Sequence, residues 1–503
     1  MSRDAMDPGT RRVLSRDQML AVGHKVLGLL DEERSGIVAT SVTHSARAVT
    51  KVSDGKLLNT VDGDEVEIQV MSRFGSGLSV WISTNQLDDT TLRHALGKIS
   101  EMTPPATPAN EQLADDPDDQ RYYTFNARPI PPVSLWHDAT IGAMETARGT
   151  VLPSMIETLR RSNLSGAATI GLVARSTMHL YRLGLTAFSE ETDSEVSVTA
   201  RLPVVGGTGW SGQAHRDWAH VDPQAVTARA VLLAEQSRGI VAYEPGRHTA
   251  ILGPAAVAQL VVAMAQLFSG NATNSPGVVG TPFTYVNHDV KGRHNRLHER
   301  VFDPRIMMVS DPADPLGGFP PFFEPGGEEI FLFGFPTPAC TWIDRGVLTN
   351  LAYGASDALG RQLSPAQLPY SVRLSPAPGT QTATIEEMIA HCDNGIYVNR
   401  FSNVELLDRA TGMMTGVTRD GCFLVKNGKI AKPIKNFRFT DSPWYTFNQL
   451  EMIGTAERVA FGYTSTPGAS ESWERRRRWP KLPVIVPPMM VRDFNFSGMT
   501  DAV

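Results

Sequence analysis

The apolar and polar positions of the first part of the chain follow a helical spacing and then a strand spacing. The stretch SRDQMLAVGHKVLGLL carries apolar residues at helical intervals, and residues 46–84 then alternate in the manner of strands. Asp54-Gly55 and Asp62-Gly63 are dipeptides that favour tight hairpin turns. The pattern therefore predicts an N-terminal helix followed by a meander of antiparallel strands.

Further helices are predicted before residue 240. Residues 88–102, 139–162 and 222–239 have helical spacing, and Pro223 suits the first turn of the last of these. Between the first two helices, residues 103–120 are rich in proline and aspartate, which predicts a surface connector.

The second part of the chain is patterned mainly as strands. It opens with a short strand and a helix that starts at Pro254, and Asn427-Gly428 is a strong signal for a two-residue hairpin. Thr384 and Glu387 have the spacing of a capping box at the start of another helix. We predict an α+β fold class, with an N-terminal domain of α/β type and a C-terminal domain built on a largely antiparallel, barrel-like β-sheet with a few helices.

The length of the chain supports two domains. Its 503 residues exceed what one hydrophobic core usually spans, and the pattern changes near residues 240–247. We therefore place a first domain at 1–243 and a second at 244–503.

Charge and cysteine content exclude several classes of function. The net charge of -6 gives no overall attraction to nucleic acid or to anionic membranes. The run Arg475–Arg478 is a local exception, expected to be a solvated loop, with a phosphate-binding patch as the alternative. The three cysteines have no CxxC spacing, and no apolar stretch suits a signal peptide or a membrane span. We expect a cytoplasmic protein without membrane partners.

The stretch HNRLHER raises the question of a metal site. His294 and His298 are four positions apart and Glu299 follows the second, so on a helix two imidazoles would share a face beside a carboxylate. The order of residues does not fit, because zinc peptidase motifs need glutamate where this chain has Asn295 or Leu297. The following segment predicts a strand, on which residues four apart lie about 13 Å from one another. We predict no catalytic, cofactor-binding or metal residues, and His294, His298 and Glu299 remain the only metal candidates.

Two other places hold candidate chemistry. His391 and Cys392 are neighbours near the end of a predicted helix, where adjacent side chains point about 100° apart and do not form a catalytic pair. Residues 311–329 mix acids, aromatic residues and glycines. We expect a surface loop there, and the lining of a substrate path is the alternative.

The order of these signals resembles the TldD/PmbA family, in which TldE is another name for PmbA and whose members have long been called modulators of DNA gyrase. The resemblance extends over nearly the whole chain. It is carried mainly by these stretches: PGRHTAILGPAAVAQLVVAMAQLFSG, ERVFDPRIMMVSDP, TWIDRGVLTNLAYGASDA, TIEEMIAHCDNGIYV, FLVKNGKIAKPIKNFRF and LEMIG.

The resemblance implies one of two functional branches. The TldD branch carries HExxxH in the helix after the strand that opens the second domain, and a third zinc ligand, a cysteine, close to the C-terminus. The TldE branch lacks those ligands and assembles with TldD into a proteolytic complex that is thought to hold unfolded peptides as an added strand. Here the corresponding helix, residues 254–268, contains no histidine and no glutamate, and no cysteine follows Cys422.

The expected function is therefore that of a zinc-free, TldE-like subunit of a metalloprotease complex that cleaves unfolded or leader peptides. It would contribute scaffold and peptide groove as a pseudoenzyme, hold no cofactor itself, and rely on zinc in a TldD-type partner. We expect a heterodimer or larger complex with that partner, or a homodimer, and no nucleic acid. The alternatives are a stand-alone divergent enzyme with a remodelled pocket and a non-catalytic homodimeric binding protein.

Overall fold

The computed structural model describes residues 12–29, 37–73, 79–102, 130–181, 186–203, 206–270, 281–287, 292–322, 336–353, 366, 368–369, 371–461 and 483–500. The predicted connector at 103–120 and the arginine run at 475–478 lie outside these residues.

Helices form where the sequence supplies both apolar spacing and a cap. Asp222 caps one of them, because its side chain accepts hydrogen bonds from the backbone N–H groups of Gln224 and Ala225, and Pro223 occupies the first turn. The α-helices are α1 (Arg16–Leu29), α2 (Asp89–Met102), α3 (Asp138–Arg161), α4 (Pro223–Gln236), α5 (Pro254–Met264), α6 (Ile385–His391) and α7 (Pro443–Thr446), with 3-10 turns at Trp218–His220 and Ala265–Phe268.

Strands make up most of the remaining regular structure. In the first part of the chain they are β1 (Ile37–Ser53), β2 (Lys56–Arg73), β3 (Ser79–Thr84), β4 (Val133–Leu135), β5 (Ser165–Tyr181), β6 (Thr186–Arg201) and β7 (Thr208–His215). In the second part they are β8 (Gly246–Leu252), β9 (Thr284–Asn287), β10 (Gly292–Asn295), β11 (Ile306–Ser310), β12 (Cys340–Asp344), β13 (Val347–Leu348), β14 (Val372–Pro376), β15 (Asn394–Asp408), β16 (Met413–Lys426), β17 (Lys429–Pro433), β18 (Phe437–Asp441), β19 (Leu450–Ile453), β20 (Glu457–Arg458), β21 (Val484–Val486), β22 (Met489–Phe496) and β23 (Gly498–Met499).

One sheet organises the first part of the chain. Its order is β3-β2-β1-β5-β6-β4, β7 also pairs with β6, and only β4 runs parallel to its neighbour. Helices α3 and α4 cover one face, where Met155, Ala230 and Val198 belong to a shared core. The opposite face carries charged residues of β5 and β6, which become important at the junction with the second part.

Of the two hairpin turns predicted for this sheet, the structure contains one. Asp54 and Gly55 form the turn between β1 and β2, with φ of 51° and 73°, and the predicted hairpin there is confirmed. Asp62 and Gly63 lie inside β2, so the predicted second turn is wrong. Strand β1 continues opposite them in unbroken register, and the long pairing outweighs a local turn preference at an exposed position.

Three sheets form the second part. The larger two have the orders β13-β12-β11-β14-β21-β20 and β19-β22-β8-β15-β16-β18-β23, β17 also pairs with β16, and the third is the β9–β10 pair. The turn at Asn427-Gly428 joins β16 and β17 as predicted. The α+β class and the largely antiparallel second part are confirmed; among the described residues each sheet is open, so barrel-like closure is not seen. No helix in the described ranges has both the length and the apolar character needed to cross a membrane.

Candidate functional site

Helix α5 lies in the core of the second part, directly after the central strand β8. Proline occupies its first position, and the chain continues into the 3-10 turn at Ala265–Phe268. All residues of α5 from Ala256 to Val262 are buried, and Gln259 is the one polar residue among them. The segment 254–268 offers no imidazole, carboxylate or thiol, and these are the groups that bind zinc in proteins.

A cavity adjoins the end of this helical segment. The ring of Phe268 packs against Trp342 at a centroid distance of 5.6 Å, and the carbonyl of Phe268 accepts the N–H of Ala352 at 2.8 Å. Trp342 is also part of the wall of a cavity of about 570 Å³, which we call the Trp342 cavity. Its described lining includes Leu297, Phe319, Cys340, Trp342, Leu351 and Tyr353.

Most polar groups in this wall bond to the protein itself. The indole N–H of Trp342 donates to Ser310 Oγ at 2.9 Å, and the Ser310 hydroxyl donates to the carbonyl of Ser371 at 2.6 Å. Thr337 differs, because its hydroxyl oxygen is buried and has no hydrogen-bond partner within the described residues. The accessible lining of the cavity is therefore mixed, with His298, Thr341 and Asn350 beside apolar residues, whereas the Thr337 hydroxyl lies behind the cavity wall.

A cysteine and a histidine line the same cavity. Burial raises the pKa of the Cys340 thiol to about 12, so the thiol stays protonated at neutral pH and is a poor nucleophile. His298 is exposed, has a φ of 69°, and donates its backbone N–H to the carbonyl of Leu348 at 2.7 Å. The thiol is thus not activated as a Cys-His mechanism requires.

A larger cavity of about 680 Å³ lies elsewhere in the second part, lined by Arg305, Glu451 and neighbouring residues. The guanidinium of Arg305 is already engaged in hydrogen bonds within the protein. It binds both carboxylate oxygens of Asp303 at 2.9 Å and the carbonyls of Leu450 and Glu451. Arg345 also lines this cavity and is exposed, so the cavity retains a cationic side chain. The Trp342 cavity is the one that adjoins the end of the α5 segment.

Comparison with known proteins identifies the chain. Residues 245–498, just over half of its length, match the family described as the PmbA/TldA metallopeptidase C-terminal domain. The chain belongs to the PmbA/TldD family. No curated protein sequence matches this PmbA/TldD chain.

Solved structures agree with the family fold. A protein from Bacteroides thetaiotaomicron described as a modulator of DNA gyrase has a TM-score of 0.66 and 14% identity, covering 96% of this chain and all 100% of the other. A Thermotoga maritima protein with the same description has a TM-score of 0.64 and 13% identity, covering 95% and 99%. TldE from Thermococcus kodakarensis has a TM-score of 0.65 and 13% identity, covering 95% and 100%. At these identities the likeness establishes the fold.

The residues of this PmbA/TldD chain do not fit the zinc site that the resemblance attributes to the TldD branch. Helix α5 has no donor groups, and the described residues contain no group of three or more His, Cys, Asp or Glu that could hold a metal ion. The backbone of His294 belongs to β10, opposite Tyr285, whereas His298 lies beyond the end of that strand. Glu299 forms an ion pair with Arg296 at 2.8 Å. These positions do not form the shared helical face on which a two-histidine site depends.

The other predicted positions have ordinary structural roles. Helix α6 ends at His391, which is exposed, while Cys392 is buried and burial raises the pKa of its thiol. Of the segment 311–329, residues 311–322 are described, and from Gly317 onward they are buried. The expected surface loop is therefore wrong for 317–322, and Phe319 lines the Trp342 cavity.

Sequence reasoning missed a buried ionic cluster between the two parts of the chain. Glu191 on β6 binds Arg175 at 2.6 Å and Arg216 at 2.8 Å. Two positions along the strand, Asp193 binds Arg458 of β20 at 2.6 Å. Arg216 also donates to the carbonyl of Gly318, so two arginines join the first sheet to the second part.

The pKa values of the two acids in this cluster are shifted in opposite directions. Burial alone would raise the pKa of Glu191, but the charges of Arg175 and Arg216 outweigh it and hold that pKa below its usual range. Burial raises the pKa of Asp193 despite its contact with Arg458, and its Oδ1 has no hydrogen-bond partner among the described residues. The alternating acids in SEETDSE were the available signal, because residues two apart on a strand share a face.

Proposed function

We propose that this chain is a zinc-free, TldE-like subunit of a TldD/TldE-type metallopeptidase complex acting on unfolded or leader peptides. One observation carries the proposal: α5, the helix in which the TldD branch holds its zinc motif, is here a buried apolar helix without a zinc donor. The similarity of fold to TldE from Thermococcus kodakarensis supports the same assignment.

In this proposal the chemistry takes place in the partner. A TldD-type subunit supplies the HExxxH helix and the zinc, which polarises a water molecule for attack on the peptide bond. This chain supplies rigid scaffold around α5 and part of the surface that holds the peptide. The Trp342 cavity, which lies next to the end of the α5 segment, is a candidate for part of that surface.

Coexpression with a TldD-type protein tests the proposal. The TldD-type partner should carry HExxxH and a late cysteine and be encoded beside this chain. We expect the two to copurify, zinc to be present at one equivalent per partner, and an unfolded casein substrate to be cleaved only by the complex. The matched control replaces the first motif histidine of the partner by alanine, which should abolish cleavage without separating the subunits. Stoichiometric zinc and peptidase activity in this chain alone would refute the proposal.

One observation favours a second function, that of a stand-alone enzyme. His298 and Cys340 line the same cavity, although the protonated thiol weighs against a thiolate mechanism. Activity of the chain without a partner, lost in both His298→Ala and Cys340→Ser while thermal unfolding is unchanged, would support this alternative over the first.

A further inference from the structure

We propose that the cavity of about 680 Å³ beside Arg345, which we call the Arg345 cleft, binds a short peptide with free ends, its carboxylate at Arg345 and its ammonium at Glu451. That such peptides reach this chain as products of cleavage rests on the proposed function. The requirement for a ligand that carries both charges rests on the cleft itself.

All residues that line the Arg345 cleft belong to the described ranges. They come from the approach to β11, the turn between β12 and β13, the loop that leads from β14 to α6, and strand β19. In chain order they are Pro304, Arg305, Arg345, residues 377–383, Glu451 and Met452. The character of the cleft can therefore be read from side chains whose positions are defined.

Two opposite charges line this cleft without pairing with each other. The side chain of Arg345 is exposed and forms no hydrogen bond or ion pair within the described residues. The side chain of Glu451 is 29% exposed, and its Oε1 lies 3.5 Å from Nε of Arg492, which is a long contact for an ion pair. The cleft thus offers both a cation and a carboxylate to a ligand.

These two charges select a dipolar ligand. A simple anion would be attracted by Arg345 but repelled by Glu451, and a simple cation would meet the reverse. A peptide with free ends carries both charges at neutral pH, because its α-carboxyl group ionises near pH ~3.5 and its α-amino group near ~8. Its ends lie several bonds apart, so they can reach two groups that do not touch each other.

The loop at 377–383 is held in place at both ends before a ligand binds. The N–H of Ala377 donates to the carbonyl of Arg305 at 2.7 Å, and the N–H of Ala383 donates to the carbonyl of Ile453 at 2.9 Å. A wall fixed in this way lowers the cost of ordering the site on binding. The cleft is therefore largely formed in the chain alone.

Binding of small peptides to the purified full chain at pH 7, without any partner protein, tests the inference. The probes are trialanine, N-acetyl-trialanine, trialanine amide and free alanine, titrated by NMR saturation transfer and calorimetry. We expect trialanine to bind at least about threefold more tightly than each of the others, because each of them lacks one charge or the separation between the two. Absence of trialanine binding, or equal binding of either capped peptide, would overturn the inference. Equal binding of free alanine would overturn the assignment to a peptide.

Variants locate the two ends of the peptide. Arg345→Gln should remove the preference for trialanine over its amide and keep the preference over the acetylated form, whereas Glu451→Gln should do the reverse. Arg409 and Glu405 are exposed and lie outside the cleft lining, so Arg409→Gln and Glu405→Gln are the matched controls and should keep both preferences. Unchanged preferences in a folded Arg345→Gln would overturn the inference.

The exposed position of Arg345 keeps the test decisive. Arg345 lies in the turn between β12 and β13 and has no side-chain partner in the described structure, so its replacement should leave folding intact even if Glu451→Gln disturbs the contact with Arg492. Because no partner protein enters these measurements, their failure is distinguishable from failure of the subunit to assemble or cleave.

Discussion

Replacement of Arg458 by methionine probes the ionic junction between the two parts of the chain. Its guanidinium donates to Asp193 Oδ2 at 2.6 Å and to the carbonyl of Leu316 at 3.0 Å, and both Arg458 and Asp193 are buried. Methionine fills much of the arginine volume but leaves a buried carboxylate without a counter-charge. Breaking a buried pair from one side costs about 3–5 kcal/mol, and we expect Arg458→Met to lower the free energy of unfolding by that amount.

A double-mutant cycle separates the ion pair from packing. Asp193→Asn alone leaves the buried guanidinium of Arg458 without its counter-charge and should also cost about 3–5 kcal/mol. The double variant lacks both charges of this pair and should lose only about 1–3 kcal/mol, so the two changes should be strongly non-additive. Urea unfolding followed by circular dichroism and by the fluorescence of the 8 tryptophans measures all three.

The pH dependence gives an independent check of the same pair. Burial raises the pKa of Asp193 in the folded state above its ordinary 3.8. The stability associated with this group is therefore complete below the unfolded pKa and is lost as pH rises through the folded pKa. Removing the Arg458 charge raises the folded pKa further, so the cost of Arg458→Met should grow as pH rises from below 3.8 toward neutrality.

An exposed arginine provides the control for this prediction. Arg160 lies 3.8 Å from Glu157 and its side chain is 72% exposed, so Arg160→Met should change stability by less than about 0.5 kcal/mol. If Arg458→Met cost no more than Arg160→Met, or if the Arg458 and Asp193 changes simply added, the assignment of the junction as a buried ion pair would be refuted.

Three further changes test local parts of the structure. Gly270→Ala should destabilise the chain by about 1–3 kcal/mol in thermal unfolding, because an added Cβ would lie 2.3 Å from the ring of Tyr353. Glu191→Gln should remove a loss of stability that occurs on acidification. The folded pKa of Glu191 lies below its ordinary 4.5, so the stabilisation that this carboxylate provides is present above pH 4.5 and is lost as pH falls through the folded pKa. Thr384→Ala should cost about 0.5–2 kcal/mol in urea unfolding, because the Thr384 hydroxyl accepts the N–H of Glu387 at 3.1 Å and caps α6.

Each of these three changes has a matched control. Gly142 lies in α3 with nothing within 4 Å of an added Cβ, so Gly142→Ala should stabilise by up to about 1 kcal/mol. Glu145→Gln is the control for Glu191→Gln, and Thr382→Ala is the control for Thr384→Ala. Glu145 and Thr382 are exposed, so these two substitutions should have little effect on stability. Equal effects in a test variant and its control would contradict the corresponding prediction.

Features set by local chemistry were predictable from the sequence. The capping box at Thr384 and Glu387 forms as expected, and Asn427-Gly428 makes its hairpin, because caps and tight turns depend on a few adjacent residues. Helix α5 was predictable for the same reason, since a proline start and a continuous apolar run leave few alternatives. The Asp62-Gly63 turn failed because strand pairing over many residues decides such positions.

The candidate site was less accessible to sequence reasoning because its residues come together only through the tertiary fold. Asp193 and Arg458 are separated by 265 positions along the chain. The Trp342 cavity likewise joins Leu297, Phe319 and Tyr353 from different loops. A sequence pattern can indicate which face of β6 carries acidic side chains. It does not reveal which distant arginines form ion pairs with them.

The burial of α5 is relevant to the proposal that this chain holds no zinc. Val257 and Val262 are five positions apart on this helix, as the two histidines of HExxxH are, and they are 0% and 8% exposed. Histidines at such positions would have to lose their hydration among aliphatic neighbours such as Leu260, at a cost of several kcal/mol unless they were paired. The described surroundings of α5 are a hydrophobic core, and a helix packed in this way would suit the proposed scaffold role.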